Sequence, residues 1–176
     1  MSIVLDGTNG ITSVTGSASL TTAGPAFSYG QNASSQTLTS GSVNTIVLDA
    51  KDFDTAGCFN NTGSTVTLNG LSVPAYCFTP NVAGYYQING TLRLSGAATV
   101  ETWLGIYKNN SLWKRGIDLV GINTGGQQSL VVNTIIYMNG TGDYLNMVCQ
   151  QSNGSSQSVS NNSALTWLQG CLIRSA

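Results

Sequence analysis

FTPNVAGYYQINGTLRL, Phe78–Leu94, decides how the rest of this chain is read. Pro80 and Asn81 set a turn, Gly84 admits the chain to a strand, and from Tyr86 onward apolar side chains fall on every second position. Tyr86, Ile88, Leu92 and Leu94 share one face, with Gly90 as a gap, while Tyr85, Gln87, Asn89, Thr91 and Arg93 share the other. Successive side chains of a strand point to opposite sides, so this alternation places one face in a core and the other in water. A helix would scatter the same residues around its circumference.

Around this strand lies a composition that excludes several classes. With 176 residues the chain forms one domain by default and buries roughly two-thirds of its unfolded surface. Charged residues make up only 7% and apolar residues 41%, which is too apolar for disorder and points to an all-β chain with many polar turns. The net charge of −1, with Lys114 and Arg115 as the one adjacent basic pair, offers nucleic acid no electrostatic footprint. Apolar runs such as Ile135–Met138 are far shorter than the roughly 20 residues of a membrane-spanning helix. The opening MSIVLDG has no basic start and only Ile3–Leu5 as an apolar segment, so it reads as a chain made and folded in a cytosol. Cys58, Cys77, Cys149 and Cys171 then read as free thiols, with Cys149 and Cys171 expected to be buried inside apolar strands. Disulfides stay open as an alternative for a protein that ends up outside a cell.

From Pro25 onward, short strands separated by turns follow one another at the spacing of a sandwich. Ala26–Tyr29 is a first strand and Val43–Leu48 a second, ending in an acidic turn, DAKDFD. Thr65–Leu71 is a third, and Val73–Phe78 leads into the central strand. Thr102–Tyr107 and Leu112–Arg115 flank a hairpin turn at Asn109 and Asn110, residues that tolerate positive φ. Leu130–Met138 carries apolar residues on both faces, Val132, Ile136 and Met138 against Val131, Ile135 and Tyr137, which predicts a strand covered from two sides. NGTGD, Asn139–Asp143, is the next turn, Asn153–Ser163 an exposed, mobile polar loop, and Ala164–Arg174 the last strand.

Three of these stretches resemble the C1q and tumour-necrosis-factor-like jelly rolls. Phe78, Gly84, Tyr86 and Ile88 fall at the spacing of that family's central signature, with Ile88 where the family has Phe. Gly142 and Asp143 match its late Gly-Asp turn, and Gly170 and Leu172 within LQGCLI match its closing motif, with Leu168 in place of Phe. The resemblance spans most of Pro25–Ala176. It implies a ten-stranded antiparallel jelly roll that forms a homotrimer through one sheet, an interface of a kind that commonly buries more than about 2,000 Å². Tyr85, Tyr107, Tyr137, Trp103, Trp113 and Trp167 are the aromatics expected either at that threefold axis or in the sandwich core.

Residues Met1–Gly24 form a Gly-, Ser- and Thr-rich leader whose Ile3, Leu5, Ile11 and Val14 are too sparse for a core and show no heptad. Its opening, IVLDGTNGITSVTG, is similar to the starts of many bacteriophage tail-associated and other virion proteins. The leader reads as an arm that anchors the head, Pro25–Ala176, to another subunit. For chemistry the chain offers little. The lack of histidine removes Ser-His-Asp, Cys-His and most zinc sites. Asp52 and Asp54, two apart, do not suit a glycosidase pair, which must straddle the scissile bond. Asp49, Asp52 and Asp54, with Asp118, are weak calcium candidates that lack the Gly and terminal Glu of an EF-hand. No cofactor is expected.

Two roles follow. The first is a non-catalytic virion structural protein of a bacteriophage, a homotrimeric head held by its arm to capsid or tail proteins, decorating or cementing a capsid or forming a short fibre. The second is a receptor-binding fibre tip that recognises a host glycan or surface protein, with an exposed aromatic such as Trp113 supplying stacking area.

Overall fold

The computed structural model describes residues 24–32, 35–96, 100–121 and 126–176. The arm residues Ile3, Leu5, Ile11 and Val14 lie outside them. In chain order the strands are β1 (Ala26–Gly30), β2 (Thr37–Leu38), β3 (Val43–Thr45), β4 (Ala50–Asp54), β5 (Val66–Leu68) and β6 (Leu71–Val73). They continue with β7 (Gly84–Leu94), β8 (Glu101–Lys108), β9 (Ser111–Val120), β10 (Gln128–Met138), β11 (Leu145–Gln151), β12 (Gln157–Ser158) and β13 (Trp167–Ser175).

All pairings are antiparallel. A five-stranded sheet in the order β10-β7-β13-β1-β4 faces a four-stranded sheet in the order β3-β11-β8-β9, and β2/β12 and β5/β6 form two small ribbons. The core lies between the two main sheets. The strict alternation of β7 places Tyr86, Ile88, Leu92 and Leu94 there, all fully buried, against Leu104 and Ile106 of β8 and Met147 and Cys149 of β11. At one end Phe27 stacks on Phe78 with centroids 4.2 Å apart, Tyr29 stacks on Phe59 at 4.2 Å, and Tyr86 meets Phe78 edge-on at 5.5 Å. Such pairs contribute about 0.5–1.5 kcal/mol each beyond their buried area.

Glycine is required where β13 runs against the core side chains. A Cβ on Gly170 would sit 2.6 Å from Ile88 Cδ1 and 2.9 Å from Phe27 Cε1, so only a bare backbone lets β13 lie this deep between β7 and β1. The two-residue turns Asn69-Gly70 and Asn109-Asn110 have positive φ at both positions, which suits the twist of the hairpins they close.

The structure corrects several sequence expectations. The acidic "turn" is strand β4, paired with β1, and its charged side chains mark it as a sheet edge rather than a loop. Only Val43–Thr45 of the second expected strand is in a sheet, although Ile46 and Leu48 beyond it are fully buried. Val73–Phe78 is not a strand: Pro74 follows β6 and Tyr76 has φ 55°, so the chain turns, and Phe78 makes only isolated bridges to Phe59 and Leu145. The polar stretch 153–163 contains β12, paired with β2, and buries Gln157 and Val159. Cys58, Cys77 and Cys149 are buried free thiols, but Cys171 is exposed. Burial pushes the Cys77 and Cys149 thiols up to about 12.

Candidate interaction surface

One face of the five-stranded sheet is the core; its opposite face is uncovered among the described residues. Register stacks the side chains of this outer face into rows that run across the strands. Tyr137 lies beside Tyr85; then come Ile135, Gln87 and Cys171; then Asn133, Asn89, Gln169 and Ser28; then Val131, Thr91 and Trp167. On β10 the inward residues Leu130, Val132, Ile136 and Met138 are buried, yet Val131, Ile135 and Tyr137 keep 42%, 53% and 40% of their surface exposed. Among the described residues nothing supplies the second cover that the sequence of this strand calls for. Tyr85, Phe53 on β4 and Ile173 at the β-bulge of β13 are also exposed, so apolar side chains recur across the whole face. An isolated exposed isoleucine is ordinary; a sheet face carrying this many is the signature of a surface that becomes covered.

The apolar end of this face is held by polar groups behind it. Tyr85 and Tyr137 have ring centroids 5.5 Å apart. Lys108 Nζ donates to the Tyr137 carbonyl at 2.8 Å, pairs with Asp143 at 2.8 Å and lies 5.7 Å from the Tyr137 ring centroid. Asp143 also accepts from Asn109 Nδ2 at 2.7 Å and from the Asn139 backbone N–H at 3.0 Å. Burial alone would raise its carboxyl, but these hydrogen bonds and the Lys108 charge outweigh it and hold the group below its ordinary value. Beside β10, β9 passes so close that a Cβ on Gly116 would overlap the Val131 carbonyl, and this brings Trp113 to the rim, its Nε1 donating to Thr134 Oγ1 at 3.3 Å.

The structure thus sorts the six aromatics. Tyr85, Tyr137 and Trp167 belong to the outer face, and Trp113 to its rim. Trp103 and Tyr107 stand on β8 in the other sheet, where Trp103 is buried outside the main core beneath the Arg115 guanidinium, 4.3 Å from its ring. Arg115 is held by Glu101 at 3.2 Å and Asp118 at 2.8 Å, so that sheet closes over its own tryptophan.

The carboxylates proposed for calcium do separate structural work. Asp49 accepts from the Asn32 N–H at 2.9 Å and Asp52 from Ser28 Oγ at 2.8 Å. Asp54 accepts from the N–H groups of Phe59, Cys58 and Ala56 and from Tyr29 Oη, tying the edge strand to the loop that follows it. Asp118 is engaged by Arg115, and among the described residues no three His, Cys, Asp or Glu side chains converge as metal ligands. Of the signature residues, Phe78, Tyr86 and Ile88 are fully buried, Gly84 and Gly170 are backbone-to-side-chain contacts, Leu172 packs against the core, and Gly142 and Asp143 form the β10–β11 turn.

No protein-family model and no curated protein sequence matches the chain. Solved structures do. Murine APRIL superposes with a TM-score of 0.61 at 8% identity, over 85% of this chain and 99% of that one. The globular domain of zebrafish complement 1qA protein does so with 0.57 at 14%, over 87% and 99%. The fold is a C1q/TNF-like jelly roll. The same jelly roll relates it to the PRD1 vertex protein P5, with a TM-score of 0.53 at 11% identity over 86% of this chain and 74% of that one.

Proposed function

We propose that the chain is a non-catalytic virion structural protein of a bacteriophage, made in the host cytoplasm, whose jelly-roll head forms a homotrimer through the outer face of the β10-β7-β13-β1-β4 sheet. The observation that carries the self-association is the run of exposed Tyr85, Val131, Ile135, Tyr137 and Ile173 on one sheet, in a protein whose other sheet covers its own tryptophan. The virion role is supported by the leader, whose opening is similar to those of phage structural proteins, and by the fold likeness to a vertex protein. In this reading residues 1–24 anchor the trimer to capsid or tail proteins. Removing them should leave a folded trimer that no longer joins particles; unchanged incorporation would overturn the anchoring role.

A second reading, recognition of a host glycan, is favoured by one feature: an uncharged cleft of about 400 Å³ lined by Ser95, Gly96, Asn153 and Ser155–Ser158, whose hydroxyls and amides suit a neutral sugar. Binding of the isolated head to a glycan array at millimolar or tighter affinity would support it, and a blank array would sink it.

A further inference from the structure

We infer that the transverse amide row Asn133–Asn89–Gln169 selects the register and the copy number in which this face meets other copies of the chain. The inference rests on the self-association proposed above. Asn133 stands directly opposite Asn89, and Asn89 opposite Gln169, so the three amides cross three adjacent strands in one line. On β10 the line is bracketed by Val131 and Ile135, both exposed. Asn89 Oδ1 accepts from Gln87 Nε2 at 3.1 Å; Asn89, Asn133 and Gln169 make no further side-chain hydrogen bond to the described residues.

Apolar contact discriminates poorly, because Ile135 buries surface equally well against Val131, Tyr137 or Tyr85 of another copy. Amides discriminate strongly. Each carries two donors and two acceptor lone pairs, and stranding them against isoleucine in a dry contact loses more than pairing them gains. A packing that brings amide rows together satisfies them; one slipped by two residues sets the three amides against Ile135–Gln87–Cys171 or Val131–Thr91–Trp167, rows with too few polar groups to answer them. The apolar side chains of the flanking rows therefore supply affinity and the amide row supplies the choice, as a single buried polar position does in helical coils. Among the described residues the charges of this face are Arg93 and Arg174, at the ends of rows with Arg174 beside Tyr85, and Asp52 at the edge, so the occupant it fits is a largely neutral surface, which a second copy provides.

The test is native mass spectrometry and sedimentation velocity on the full chain carrying Asn89→Leu with Gln169→Leu. Asn133→Val on the edge strand repeats it should the double variant misfold. The leucine variant should stay assembled at dilutions at least about tenfold beyond the wild type, while spreading over two or more copy numbers; Asn89→Gln should restore one species. A leucine variant that keeps a single, wild-type copy number overturns the inference, as does one that becomes monomeric. Ile135→Asp separates the two levels. If it dissolves the wild-type oligomer while the leucine variant keeps one copy number, the amide inference fails and the interface stands; if it leaves the oligomer intact, both fail.

Discussion

Replacing Asp143 with alanine removes the hub behind the apolar end of the outer face. The carboxylate is bonded by Lys108, Asn109 Nδ2 and the Asn139 N–H. Hydrogen bonds to a charged group contribute about 1.5–3 kcal/mol each, but Lys108 and Asn109 lie near solvent and recover water, leaving mainly the Asn139 N–H without a partner. About 2 kcal/mol of stability should be lost, a factor of roughly 30 in the unfolding constant, lowering Tm by about 4–8 °C. Because the folded carboxyl sits below its ordinary value of 3.8, the unfolded chain takes up the proton first. Its stabilisation is therefore present above about pH 4 and is lost as pH falls through the lower folded value. Urea unfolding of the wild type and Asp143→Ala, at one fixed protein concentration, should show the full difference near neutral pH and a shrinking one as pH falls below about 4. A difference under about 0.5 kcal/mol at neutral pH, or one that does not change with acid, would refute this account of the turn.

Gly170→Val must displace Ile88 and Phe27, and should cost about 3 kcal/mol or more by chemical denaturation; a cost below about 1 kcal/mol would mean β13 is not seated as described. Arg115→Ala should uncover Trp103, with a red-shifted tryptophan emission, greater iodide quenching and a loss of about 1 kcal/mol, and unchanged quenching would contradict the stacked arrangement. Ile135→Asp should leave the monomer fold within about 0.5 kcal/mol, since the side chain is half exposed, while its carboxylate makes burial of the face unfavourable by several kcal/mol; an assembled Ile135→Asp protein by sedimentation would rule out the face.

Much of the sheet architecture was legible because alternation and burial coincide. In β7 every inward residue that the pattern names is buried, and the Asn109-Asn110 turn has the positive φ that its residues allow. Strand β4 was not legible, because Lys51, Asp52 and Asp54 on a sheet edge carry no apolar period; what makes them a strand is the long-range pairing with β1, while Asp54 bonds mostly to the loop that follows it. The pair β2/β12 was hidden because Thr37–Leu38 and Gln157–Ser158 are dipeptides too short to show a period and are joined only by the fold. Residues 73–78 misled because β-branched and aromatic residues suggest a strand, whereas Pro74 and the left-handed Tyr76 turn the chain. For the site, the two apolar faces of β10 were legible in sequence, and the structure buries one and leaves the other exposed. The amide row did not appear, since Asn133, Asn89 and Gln169 meet only through the registers of three strands far apart in the chain.

Cys171 gives the most direct test of the outer face as a buried interface. It lies in that face opposite Gln87, and it is the exposed thiol of four, the other three being buried. Native protein pulsed with maleimide across a dilution series, with the modified sites read by mass spectrometry and the copy number by sedimentation, should show Cys171 protected while the chain is assembled. On dilution to monomer it should become the one thiol labelled. A chain that labels fully at Cys171 while still oligomeric, or that is monomeric at every concentration, would contradict the account.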